Sequence, residues 1–217
     1  MKILAYDTET TGLPDWKEPS ESPQQPHLVE IAALLFDGTD EVDTFHALVQ
    51  PDGWAWDENN EAFKTHGITA ERCMDEGIPE PEAVGRFLAL HTRTDLRVAH
   101  NESFDQRILR IAFKRYGNGV TGWDMLTQDE RDAYADAFKS APAYCTSNLA
   151  KPIMKLPPTP KMLANPRFRN SYKQPNLQEA HEYFLGEPFE GAHSALADAR
   201  ACARVFFAIR DSQRVAA

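Results

Sequence analysis

The chain has 217 residues, three cysteines and a formal net charge of -10, a length that suits one sizeable core and one domain with decorations. No apolar run approaches the roughly 20 residues that cross a bilayer, and Cys73, Cys145 and Cys202 are too few and too widely spaced for a disulfide framework or a zinc site. The charge argues against a general basic surface that coats duplex DNA, and the expectation is a cytoplasmic protein with reduced thiols and no membrane partner.

Residues 2–7 read as a first strand, since Met1 to Asp7 is too short for a signal-peptide core. Strand side chains alternate with period 2, which sets Asp7 and Glu9 on one face together with Ile3 and Ala5. Like charges side by side near a core usually hold a cation between them, most often a divalent metal. A strand end running into a polar turn is the alternative for an isolated Asp-x-Glu. Pro14 to His27 is a Pro/Ser/Gln-rich surface loop. Leu28 to Phe36 is a nearly continuous apolar run, typical of a strand buried on both faces. Asp37-Gly38-Thr39-Asp40 turns into a hairpin partner over Val42 to Val49.

The pattern predicts a helix over Glu58–Thr65 ending at Gly67, and another over Pro79–His91. A short strand follows at Leu96–His100, then a helix from Ser103 to Tyr116 with Ser103 and Gln106 at capping-box spacing. Arg107, Arg110 and Lys114 take its outer face, whereas Asp105 shares the inner stripe with Leu109, Ala112 and Tyr116. Thr127 and Glu130 repeat the capping spacing before a helix to Phe138. Residues 141–175 hold seven of the fifteen prolines without periodicity and read as an extended loop packed on the domain. The same stretch is basic: no acidic residue lies between Asp136 and Glu179, while Lys139, Lys151, Lys155, Lys161, Arg167, Arg169 and Lys173 do.

Closing helices are expected at Leu177–Leu185 and His193–Ile209. In the second, Asp198 lies in line with Ala195, Cys202, Val205 and Ile209, with Arg200 and Arg204 outside. An unpaired ionised carboxylate facing a core is costly or becomes neutral, and no Lys or Arg shares these inner stripes. Either Asp alone fits a helix cap or the edge of its face. Four carboxylates from three elements, all aimed inward, fit a cation better. His193, five residues before Asp198, is either a structural hydrogen-bonder or a base of near-neutral pKa beside that cation.

Asp7-Thr8-Glu9-Thr10-Thr11-Gly12-Leu13, His100-Asn101-Glu102-Ser103-Phe104-Asp105 and His193-Ser194-Ala195-Leu196-Ala197-Asp198-Ala199 together resemble the three exonuclease motifs of the DEDDh, or DnaQ-like, family, nearest its proofreading members from bacterial replicative polymerases and their phage relatives. Val29-Glu30-Ile31-Ala32, His66-Gly67-Ile68-Thr69 and Asn176-Leu177 look like scaffold positions of that family.

The resemblance implies an α/β, ribonuclease H-like fold: a mixed five-stranded sheet with helices on both faces, in one domain over residues 1–217. It implies removal of nucleoside 5′-monophosphates from a single-stranded or frayed 3′ end of DNA. By position it assigns Asp7, Glu9, Asp105 and Asp198 to two Mg²⁺ ions, with Mn²⁺ as a substitute, and His193 to the role of general base in a two-metal mechanism. Thr10, Leu13, His66, Asn101 and Phe104 would lie near the terminal nucleotides; for Leu13 and Phe104 ordinary core packing is the alternative.

Cys145-Thr146 stands where epsilon-like relatives carry Asp-Thr on a short strand. Lys161, Arg167, Arg169 and Lys173, with Tyr144, Phe168 and Tyr172 interleaved, are candidates for tracking the substrate backbone, against a merely solvated loop. An exoribonuclease of the RNase T or oligoribonuclease type is the alternative substrate reading. A catalytically inactive nucleic-acid-binding or polymerase-interaction module comes last, because all five catalytic positions are filled. The chain stops soon after the final helix, without the family's polymerase-binding tail, so a stand-alone phage or repair nuclease is expected as readily as a subunit with a polymerase partner.

Overall fold

Three strands, β1 (Lys2–Thr10), β2 (Leu28–Asp37) and β3 (Asp40–Leu48), form an antiparallel meander, and β4 (Leu96–Ala99) and β5 (Ala143–Cys145) add to it in parallel with β1. The computed structural model describes residues 1–54, 57, 59–119 and 123–215, and among these the sheet order is β3-β2-β1-β4-β5. Gly38 turns the β2–β3 hairpin at φ 67°, a left-handed conformation that only glycine adopts freely. β2 is buried on both faces as its apolar run predicts: Ile31, Ala33 and Leu35 join one core, and Ala32, Leu34 and Phe36 the other.

The first core lies under α3 (Glu80–His91), α4 (Glu102–Tyr116) and α5 (Gln128–Ser140). The second lies under α9 (Ala195–Val215), whose Ala195, Ala199, Cys202 and Ala203 meet Ile3, Ala5 and Val98. Helices thus cover both faces. Small alanines let α9 approach the sheet closely. Outside it, α6 (Thr146–Met154) and α8 (Leu177–Leu185) bury Ala150 and Ala180 against Val205 and Ile209. No described helix is long and apolar enough to cross a membrane.

Several elements depart from the sequence expectation. β1 continues to Thr10, so both Asp7 and Glu9 lie within it. α1 (Glu61–His66) starts later than Glu58, which lies outside the described residues, and stops as expected at Gly67, φ 66°. α2 (Ala70–Glu76) is additional; only Cys73 of its seven residues is buried, so it carries no apolar stripe to read. The Ser103–Gln106 capping box does not form. The β4–α4 turn is completed by Asn101 at φ 65°, which puts Ser103 inside the helix already. The Thr127–Glu130 box does form. Residues 141–175, expected as an extended loop, hold β5, α6 and α7 (Pro160–Leu163). Pro160 sits at the first position of α7, where it starts a helix, and Pro152 within α6 hides the helical stripe.

Candidate active site

The motif residues meet at the C-terminal end of β1. Asp7 and Glu9 lie on the strand face that packs on α9, and Thr8 lies on the face toward α4. Thr8 donates from its backbone N (3.0 Å) and its Oγ1 (2.8 Å) to Oδ1 of Asp105, which aims this buried carboxylate at the strand end. Asp198 enters from the first turn of α9. Its Oδ2 accepts the backbone N–H of His193 at 3.1 Å, while its Oδ1 is buried with no hydrogen-bond partner. Glu9, His193 and Asp198 each bring a ligand atom within 4.8 Å of the others. His193 itself is exposed and held at φ 70°, a conformation rare outside glycine and typical of constrained functional positions.

The electrostatics follow from this crowding. Burial, then Asp105, Asp198 and Glu9, raise the Asp7 carboxyl well above the usual carboxylate range. Burial, with Asp198, Glu30 and Asp105, drives Glu9 up to about 8. Burial raises Asp105 to about 7 against the opposing Thr8 bonds, and Asp198 to about 6 against the His193 backbone bond. Among the described residues no Lys or Arg is a leading cause of these shifts, and none forms an ion pair with the four carboxylates. A cluster of hard oxygen donors with an orphaned buried carboxylate oxygen is the donor set that divalent cations such as Mg²⁺ take, and the residues fit such ions.

Glu30 belongs to this cluster and has a role that sequence reasoning missed. It sits opposite Glu9 in the β1–β2 register. Its Oε2 accepts the backbone N–H of Ala195 at 2.8 Å, and its Oε1 lies 2.6 Å from Nε2 of His46. It therefore caps the start of α9 and fixes the turn that carries His193. The signal available was a carboxylate interrupting the apolar run of β2.

A second buried network sets the start of α4. Arg97 of β4 donates Nε to Glu102 at 3.0 Å, Tyr6 donates its hydroxyl to the same oxygen at 3.2 Å, and the guanidinium stacks 4.1 Å from the Phe138 ring while bonding the Phe138 carbonyl. His100 bonds Thr146 Oγ1 (2.8 Å) and Pro175 O (3.1 Å), tying the second motif to the chain between β5 and α8.

The expected substrate residues divide into two groups. Beside Glu9 a cavity of about 730 Å³ is lined by Thr10, Leu13, Asn60, Thr65 and Phe104 among others. Leu13 is 84% exposed there, so it is not a core residue; Phe104 is half-buried at the core's edge. The Thr10 hydroxyl is taken up by the carbonyl of Gly12 (2.8 Å), and Asn60 Nδ2 donates to Thr11 O (2.7 Å), latching α1 onto the motif. His66 approaches the Thr10 backbone, and burial holds its imidazole below the ordinary value. Asn101 is exposed in the β4–α4 turn. The second group lies apart. Lys161, Arg167 and Arg169 are exposed on and after α7, and among the described residues no hydrogen bond or ion pair joins them to the carboxylates. Lys173 is committed to Glu179 of the α8 capping box.

The RNase T family model, described as exonuclease, matches residues 4–206. The chain is 32% identical over 209 residues to a PolC-type DNA polymerase III of Thermotoga maritima and 31% to that of Thermotoga petrophila, in each case over 94% of this chain and 11% of the polymerase. It spans only that small part of their length. Among solved structures, the fold is shared with E. coli exonuclease I in its zinc-bound complex with single-stranded DNA (TM-score 0.66, 17% identity, 98% of this chain and 41% of the other). It is likewise shared with exonuclease I in complex with a dA16 oligonucleotide (TM-score 0.64, 18% identity, 97% and 41%).

Proposed function

This chain belongs to the exonuclease family, and we propose that it hydrolyses the terminal phosphodiester at the 3′ end of DNA, releasing nucleoside 5′-monophosphates one at a time. One observation carries this reading: Asp7, Glu9, Asp105 and Asp198 converge from three elements with raised carboxyl pKa values, and among the described residues no Lys or Arg pairs with them. Two divalent cations, Mg²⁺ or Mn²⁺, when bound at these carboxylates supply the charge that activates water and stabilises the leaving oxygen.

The protein's own groups do the rest. His193 takes a proton from the attacking water, whose oxygen bonds to phosphorus as the bond from phosphorus to the 3′ oxygen breaks; the leaving oxygen gains its proton from solvent. Asp198 Oδ2, bonded to the His193 backbone, keeps that turn at the site. Leu13 and Phe104 hold the terminal nucleotide by apolar contact, which ignores base identity and suits an unpaired end. DNA is favoured over RNA because the relatives are DNA polymerases and the exonuclease I complexes hold DNA. On the same ground the domain, residues 1–217, works in the cytoplasm with a polymerase or repair partner.

The test uses 5′-labelled DNA and RNA oligonucleotides with Mg²⁺ or with chelator. A ladder shortening from the 3′ end, dependent on metal, lost in Asp7→Ala and strongly slowed in His193→Ala, is expected, with DNA degraded faster. No shortening of either polymer in any divalent metal sinks the reading; faster degradation of RNA shifts it to an exoribonuclease.

A further inference from the structure

The loop between β1 and β2 carries an exposed tryptophan on a backbone that is anything but loose. Trp16 is 62% exposed, whereas Gln25, nine residues on, is buried and serves as an internal strut. Gln25 Nε2 donates to the carbonyl oxygens of Asp15 (2.9 Å), Glu18 (3.2 Å) and Pro19 (3.0 Å), and its Oε1 accepts the N–H of Asp15 (3.1 Å). Lys17 N bonds Asp15 Oδ1 at 2.8 Å. From α4, Arg107 donates to the carbonyls of Asp15 and Glu18, and Arg115 to those of Gln25 and Pro26. The chain is therefore fixed on both sides of Trp16 while the indole stays in water.

Its position matters as much as its exposure. Leu13, Gln24 and Pro26 of this loop line the cavity beside Glu9 together with Phe104. Arg107, which pins the backbone around Trp16, lies one helical turn beyond Phe104 on α4. Trp16 does not line the cavity itself; it follows Leu13 by three residues in the same pinned loop, next to the cavity that takes the terminal nucleotide in the reading above. An indole offers more apolar area than any other side chain, and leaving it exposed forgoes that burial. On a rigid backbone it is a preorganised face for an unpaired base, a contact that tolerates any sequence. Lys17, exposed beside it in the chain, adds a cation suited to phosphate.

We propose that Trp16 forms a second base-stacking subsite, which receives an unpaired base upstream of the terminal nucleotide of a single strand. This rests on the exonuclease reading and deepens it, by making the enzyme grip single-stranded ends at least two bases long.

The experiment compares wild type, Trp16→Ala and Trp16→Phe on two substrates: a single-stranded DNA oligonucleotide and the p-nitrophenyl ester of thymidine 5′-monophosphate, which engages the terminal site alone. Trp16→Ala should lower the ratio of oligonucleotide to ester kcat/KM about tenfold, chiefly through the oligonucleotide KM, and Trp16→Phe should restore most of it. An unchanged ratio, or an equal loss on both substrates, overturns the subsite and leaves Trp16 to a protein contact or to structure. Binding of labelled oligonucleotide to Asp7→Ala, with and without Trp16→Ala, separates the two claims. Weaker binding on loss of the indole upholds the subsite even where hydrolysis fails, and equal binding overturns it even where hydrolysis succeeds.

Discussion

Glu9 carries a heavy electrostatic load, its carboxyl raised to about 8 by burial and by neighbouring carboxylates. A carboxyl whose folded pKa exceeds its unfolded value, roughly 4.3, binds its proton more tightly in the folded state. Between those two values the folded protein holds more protons than the unfolded, so stability falls as pH rises. Asp105 and Asp198, raised to about 7 and about 6, act in the same direction. The thermal midpoint in chelator should therefore fall from pH 5 to pH 8, and Mg²⁺ should restore it most at the alkaline end; a scanning calorimeter would reveal a flat profile if the carboxylates were instead well solvated. Glu30 offers a second test. Glu30→Ala strands the buried N–H of Ala195, at about 1–3 kcal/mol, and should reduce kcat roughly tenfold, a loss of about 1.4 kcal/mol. Glu30→Gln keeps an acceptor and should lose far less, as urea melts and steady-state rates would report. The motif carboxylates were legible in the sequence because each breaks an apolar stripe. Glu30 breaks one too, yet its partner at Ala195 lies 165 positions away, and nothing local announces that distance.

At the level of elements, the turn from β4 into α4 decides where Asp105 points. Asn101 takes a left-handed conformation there with no side-chain capping bond. A β-branched residue resists that conformation at a cost of about 1–2 kcal/mol, whereas glycine accepts it. Asn101→Val should thus lower stability by that amount and slow hydrolysis, while Asn101→Gly should keep the urea midpoint close to wild type and raise KM alone, as expected for an exposed side chain beside the substrate. Comparing midpoint with KM in the two variants separates turn from contact. Strands β1 to β3 and helices α3, α4, α5 and α8 were readable from pattern and end signals within about three residues at their ends, and α9 was readable too, though it runs six residues past the expected end at Ile209. α2 and α6 were not: one buries a single side chain, and the other is crossed by Pro152. Both are held by neighbours that sequence windows do not contain.

Across the whole molecule, charge is unevenly spread. An acidic chain carries its exposed basic group at Lys161, Arg167 and Arg169. Neutralising those three should weaken binding of long single strands and flatten its salt dependence; an unchanged salt slope would assign them to solvent. A strand covered on both faces was legible in the continuous apolar run of β2, and the family resemblance implied helices on both sides, but the packing of residues 141–175 depends on His100, Thr146 and Pro175 meeting from three separate stretches. Arg97, buried to 1% exposure, has partners on α4 and α5 at once. If α5 peeled away alone, Arg97 would keep Glu102 but lose the Phe138 carbonyl and ring, a charged hydrogen bond of about 1.5–3 kcal/mol and a cation–π contact of about 0.5–2 kcal/mol. A helix that is largely polar and solvent-facing is thereby denied independent fraying. Amide protons near the C-terminal end of α5 should exchange with deuterium at the rate of global unfolding, in one cooperative unit with the first turn of α4, so a single guanidinium makes opening at the edge of the molecule an all-or-none event.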